Sequence, residues 1–306
     1  MRRVTYIRIL LVGLVLVGAG SGPGRLALAD SAGVSPSDAV ARGEYLFHAA
    51  GCLSCHTDFK GGGKPLAGGR PLKTPFGTFY SPNITPDKPT GIGSWTDRQF
   101  LAAIKHGIRA DGAQLFPVLP FTSYTRMTDQ DAKAIKAYLF SLPPVSQANR
   151  QHQISPPFSW RFLQAGWKWL FFKPGDFQPD PRQSAAWNRG AYMVTALAHC
   201  GECHTPRNWF GALDNSMPLA GTADGPEGEV APNITPDKDT GIGGWSQDDL
   251  VTLLKTGNKP DFDNVQGVMK EAIVHGLKDL TDADLKAIAT YVLAQPPIRH
   301  KVARKQ

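Results

Sequence analysis

One short motif occurs twice in this chain and consumes every cysteine it has: Cys52-Leu53-Ser54-Cys55-His56 and Cys200-Gly201-Glu202-Cys203-His204. Four cysteines in an exported protein would first suggest two disulfides. The C-x-x-C-H spacing argues for something else, because it sets two thiols on one face of a helical turn with a histidine directly after the second. Thiols so placed each bond a vinyl group of one haem, and the adjacent imidazole turns onto its iron. Two such motifs with no cysteine left over favour two covalently bound haem c groups over a chance match, a redox dithiol or half a zinc site. The attachment residues are then Cys52, Cys55, Cys200 and Cys203, and the first iron ligands are His56 and His204.

Residues that carry no haem chemistry are duplicated as well. Pro82–Trp95 and Pro232–Trp245 agree at 12 of 14 positions with an offset of 150, and the cysteine motifs lie 148 apart. A period this long marks two tandem domains, since solenoid units run ~20–50 residues. The length of 306 residues allows a core in each. Gly (32) and Pro (25) are frequent enough for a loop-rich fold, yet below the ~25–30 percent that signals disorder. The expected division is a leader over 1–29, domains over 30–145 and 184–306, and an aromatic-rich linker over 146–183.

Ile9–Gly22 is the one long uncharged apolar run, and it is shorter than the ~20 residues of an ordinary membrane span. It follows Arg2, Arg3 and Arg8 and precedes Ala27-Leu28-Ala29, the pattern of an export signal with a small-x-small cleavage site. An uncleaved anchor is the alternative, and both place the body outside the cytoplasm, in the periplasm. Cleavage would remove four arginines and no acid, taking the formal charge from +7 to +3. No basic face remains to support nucleic-acid binding.

Each half reads as helices between turn-rich loops. Ser35 with Pro36 opens the first helix and Ser184 its counterpart. Thr96 with Gln99, and Ser246 with Asp249, form capping boxes after the repeated loop. Thr128 and Thr281 cap the last helix of each half, with acids in the first turn where the helix dipole favours them. Arg42-Gly43-x-Tyr45 and Arg189-Gly190-x-Tyr192 fit a close helix crossing at the glycine, with Tyr138 and Tyr291 as the opposing rings.

A sixth iron ligand must come from few methionines. Met269, ahead of the last helix, is the candidate for the second haem. In the first half the choice stays open among Met127, which stands where the duplicate has Leu280, His106 and an open iron. Between the halves, Trp160, Trp167, Trp169 and Trp187 lie among five phenylalanines. They fit either a clasp buried against both halves or an exposed patch for a partner or a membrane surface.

These halves resemble class I c-type cytochrome domains, which implies an all-α fold of two tandem units with a haem among the loops of each. Pro-Asn-Ile-Thr-Pro-Asp, Met127-Thr128-Asp129-x-Asp131 and Ser141-Leu142-Pro143-Pro144 extend the likeness to di-haem cytochrome c subunits that accompany periplasmic alcohol and gluconate dehydrogenases. That resemblance implies electron transfer from a dehydrogenase subunit to another cytochrome or a terminal oxidase, in a subunit rather than an independent catalyst. The competing reading is a di-haem peroxidase or other di-haem oxidoreductase using an open first haem. No P-loop or Rossmann fingerprint is present.

Overall fold

Ser35 has extended backbone, and its side chain accepts the Asp38 N–H at 3.2 Å, so the chain turns into helix α1 (Pro36–Ala49) at the expected cap. The computed structural model describes residues 35–303, and from Ser35 onward the chain is one compact unit. The leader expected over 1–29 lies outside the described residues. After α1 come α2 (Cys52–His56), α3 (Asp97–His106), α4 (Phe121–Tyr124) and α5 (Asp129–Ser141). The later elements are α6 (Leu163–Phe171), α7 (Ala185–Tyr192), α8 (Gly201–His204), α9 (Gln247–Thr256), α10 (Gly267–Val274) and α11 (Asp282–Leu293). A π turn over Met193–Leu197 continues α7. Both capping boxes form, on α3 and α9, and Thr128 and Thr281 cap α5 and α11.

The fold is mostly helical, with one departure from the all-α expectation. Strands β1 (Pro71–Thr74) and β2 (Gly77–Tyr80) form a hairpin, and β3 (Gln153–Ile154) adds to its edge. Thr74 pairs with Gly77 around a two-residue turn that the Thr74 hydroxyl ties to the Gly77 carbonyl at 2.9 Å. Gly77 is required: at φ 127° it lies so close to β3 that a Cβ would meet the Gln153 oxygen at 2.3 Å. Among its described residues the second half has a 3₁₀ turn, Pro226–Gly228, and no such hairpin.

Each half is built on a crossing of its first and last helices, α1 with α5 and α7 with α11. A Cβ on Gly43 would sit 1.9 Å from the Ala134 oxygen and 2.9 Å from the Tyr138 Cβ. At Gly190 the values are 1.9 Å to Ala287 and 2.8 Å to Tyr291. The glycines and the opposing tyrosines thus meet as expected.

The motif tyrosines do something the sequence did not suggest: they reach across to the other half. Tyr45 donates to Asp284 at 2.5 Å, while Arg189 holds both oxygens of Asp284 at 2.7 Å. Reciprocally, Tyr192 donates to Asp131 at 2.5 Å, and Arg42 binds the other oxygen of Asp131, its Nε at 2.9 Å. Each phenol oxygen also accepts the N–H of the opposite cap threonine at 3.3 Å. Burial would raise the Asp284 carboxyl, but the hydrogen bonds from Arg189 and Tyr45 outweigh it and hold the group low. The two halves are therefore locked by a pair of matched charge-assisted networks. Tyr45→Phe and Tyr192→Phe are each expected to lower stability by about 2 kcal/mol, the scale of a hydrogen bond to a charged group. Urea unfolding midpoints at unchanged slope would measure this, and unaltered midpoints in both variants would remove the lock.

The aromatic segment turns some rings inward and leaves others in solvent. Trp167 and Phe172 pack on Phe121, Phe177 on Tyr192, and Trp187 on Tyr291. Lys168 donates to the carbonyls of His106 and Gly107, both at 2.7 Å, which holds α6 to the end of α3. Trp169 and Phe162, by contrast, are 84% and 68% exposed. Among the described residues no helix is long and apolar enough to cross a membrane.

Candidate functional site

The two C-x-x-C-H motifs fold alike. Cys52–His56 forms α2, entered through Gly51 in the left-handed region at φ 64°. Cys200–His204 is the same turn, entered through His199 at φ 40°. A histidine in this region is strained by about 1 kcal/mol or more, where glycine is at ease.

Each motif histidine is held from behind. His56 Nδ1 lies 2.8 Å from the carbonyl of Pro82, and His204 Nδ1 lies 2.8 Å from that of Pro232. A carbonyl can only accept, so Nδ1 carries the proton and Nε2 is left with a free lone pair, the tautomer of a metal-ligating histidine. These prolines open the repeated Pro-Asn-Ile-Thr-Pro stretch, which gives that repeat its purpose. Asn83 and Asn233, 1% and 2% exposed, fasten it. The Asn83 amide donates to Val145 O at 2.7 Å and accepts from the Thr85 N–H and hydroxyl. Asn233 does the same with Ile298 O and Thr235.

The cysteines fit covalent attachment better than the alternatives. All four are free thiols, not disulfides. Burial pushes Cys52 and Cys203 up to about 12 and Cys200 up to about 11, with Cys55 raised by the same cause. A redox dithiol needs the opposite shift. No group of three or more His, Cys, Asp or Glu among the described residues is arranged to hold a metal ion.

Charged side chains from opposite halves flank the two motifs. Glu202, inside the second, accepts from Thr122 and Ser123 of α4 at 2.6 and 2.8 Å and from Arg207 at 2.7 Å. Burial raises its carboxyl, but the Arg207 charge and the two hydroxyls prevail and keep it low. Beside the first motif, Arg70 donates to Ser54 O at 2.6 Å and pairs with Glu227 and Glu271 of the second half at 2.6 and 2.5 Å. The motifs lie near one another: Tyr124 binds the Ala50 carbonyl just before the first at 2.6 Å and packs on the His199 ring just before the second.

Other sequence candidates take varied places. Met269 is half-buried on α10 and packs against the core. Met127 and Leu280 hold equivalent core positions, 0% and 1% exposed. His106 is exposed at the end of α3, with its carbonyl bound by Lys168. Sequence reasoning missed the Pro82 and Pro232 carbonyls, Glu202, Arg70 and His199. Laying one copy over the other would have flagged His199, which stands where the first copy has Gly51.

These folded motifs define a c-type haem protein, and comparison with known proteins agrees. The cytochrome c family model matches residues 40–143. A diheme cytochrome c-type protein of Cereibacter sphaeroides is 41% identical over 85% of this chain and 86% of its own length. The chain belongs to the cytochrome c family. It also resembles the fructose dehydrogenase cytochrome subunit of Gluconobacter japonicus, 46% identical over 84% of this chain and 52% of that protein. The gluconate 2-dehydrogenase cytochrome c subunit of Pantoea cypripedii is 41% identical over 88% and 62%. The chain spans about half the length of several of these relatives.

Proposed function

We propose that this chain is a periplasmic di-haem cytochrome c that carries electrons from a dehydrogenase partner to the respiratory chain. One haem is held by Cys52, Cys55 and His56 within 30–145, the other by Cys200, Cys203 and His204 within 184–306. Residues 146–183 join the two parts, and 1–29 direct export. The observation that carries this reading is the twofold His–proline carbonyl contact, which presents Nε2 of both histidines for an axial bond. A bound haem supplies a one-electron ferrous/ferric couple. The chain's part is to fix that group through two thioethers, orient the imidazole and limit rearrangement. The dehydrogenase partner is supported by the names of the relatives.

Mass spectrometry of the purified protein is expected to find two haem groups added, and optical spectra a low-spin second haem, with neither iron turning over peroxide. A high-spin haem that turns over peroxide would replace this reading with the peroxidase one. Met269 is proposed as the sixth ligand of the second haem, which raises its potential. Met269→Leu is expected to abolish the near-infrared thioether band and lower one midpoint potential. A retained band would reassign the ligand. For Met127, its equivalence with Leu280 favours packing, so Met127→Leu is expected to leave the spectrum unchanged.

A further inference from the structure

The second attachment turn is seated in a cradle that belongs to the first half. Thr122 and Ser123 bind Glu202 from one side. On the other, the His199 ring meets Tyr124 edge to face, centroids 5.3 Å apart at 80°. Tyr124 donates to the carbonyl of Ala50 at 2.6 Å. Ala50 stands two residues before Cys52, and His199 one before Cys200. Through Tyr124, His199 is linked to the backbone that enters one motif while forming the backbone that enters the other.

Its own conformation shows that this contact is not accidental packing. His199 keeps a left-handed backbone at φ 40°, where the duplicate uses Gly51 at φ 64°, and its Nδ1 is buried without a hydrogen-bond partner. Strain and an unpaired polar atom persist only where surrounding contacts over-determine them. Here the contact is the Tyr124 ring, itself held by the Ala50 carbonyl. We propose that His199 is a positioning residue that clamps the second haem-attachment turn to the first, and so sets the relation between the two redox sites. The clamp stands on the geometry alone, whereas its redox consequence rests on the two-haem reading given above.

The test replaces His199 with Gly, which the first copy tolerates at this place, and with Phe, which keeps an aromatic ring against Tyr124. In His199→Gly, hydrogen exchange of the amides over 200–204 is expected to accelerate by about tenfold, since removing the clamp leaves the turn free to open locally. Electron equilibration between the haems, followed after flash reduction, is expected to slow by about tenfold or more, the scale on which ångström misplacements reduce rates. The second midpoint potential shifts with it, and His199→Phe returns all three readings toward the parent. Should His199→Gly fail to load haem, Tyr124→Leu removes the opposing ring and is expected to give the same changes. Unaltered exchange in a correctly folded His199→Gly or Tyr124→Leu protein would overturn the clamp. Accelerated exchange with unchanged equilibration and potentials would overturn its redox role. A parent protein carrying fewer than two haems would defeat the two-haem reading and leave the exchange result to judge the clamp.

Discussion

Gly190→Ala and Gly43→Ala are each expected to destabilise the protein by about 3 kcal/mol, at the upper end of what overpacking usually does. In an exposed helix the same change would stabilise by about 1 kcal/mol through backbone entropy. Here the new methyl would lie 1.9 Å from a carbonyl oxygen of the crossing helix, less than any contact allows, with a tyrosine Cβ behind it at 2.8 or 2.9 Å. Neither neighbour is a flexible side-chain end. The helices must separate, and the loss then spreads to the core beside them, where Leu46 and Leu285 are almost without exposure. Separation would also pull Tyr45 or Tyr192 from the aspartate of the other half, so the two halves should loosen together. Equilibrium unfolding in urea measures the change, and a variant as stable as the parent would disprove the close crossing.

Much of the helical scaffold was legible because its signals are local. Ser35, Thr96, Thr128, Ser184, Ser246 and Thr281 each cap a helix through a bond to a residue three places on. Gly43 and Gly190 were legible for another reason: a repeated glycine amid large residues needs a steric cause. Long-range partners were not legible. Tyr45 finds Asp284 at a separation of 239 residues, and nothing near either residue says that the tyrosine serves the opposite half. The hairpin was missed for a related reason, because its third strand arrives from beyond α5 and the duplicate has no copy to compare. At the site, the motifs named the thiols and histidines, but the backbone oxygens of Pro82 and Pro232 have no signature of their own. The duplication showed only that their surroundings matter.

That duplicated stretch yields the other large expected effect. Asn233→Ala should destabilise by about 4 kcal/mol, because truncation strands several buried groups at once and each unpaired one costs about 1–3 kcal/mol. The Thr235 N–H and hydroxyl lose their acceptor at 2.9 and 2.7 Å, and the Ile298 carbonyl loses the nearer of its two donors, at 2.7 Å, keeping the Thr235 hydroxyl at 3.3 Å. Thr235 itself is 0% exposed, so water cannot readily take the place of the amide. Ile298 lies just beyond α11, so the same amide fixes the chain that follows the last helix to the loop holding the histidine. The loss therefore reaches the site. Pro232, the neighbour of Asn233, would no longer be fixed against His204, and a histidine freed from its carbonyl partner binds metal about 10–100-fold more weakly. The expected signs are a lower unfolding midpoint together with a second haem that becomes high-spin or binds carbon monoxide. Asn83→Ala should lower stability and alter the spectrum of the first haem alone, since Val145, Thr85 and Pro82 repeat the arrangement there. If the asparagine only stiffens its loop, stability would fall in both variants while the two haem spectra stayed as in the parent, and the link from asparagine through proline to the axial histidine would be lost.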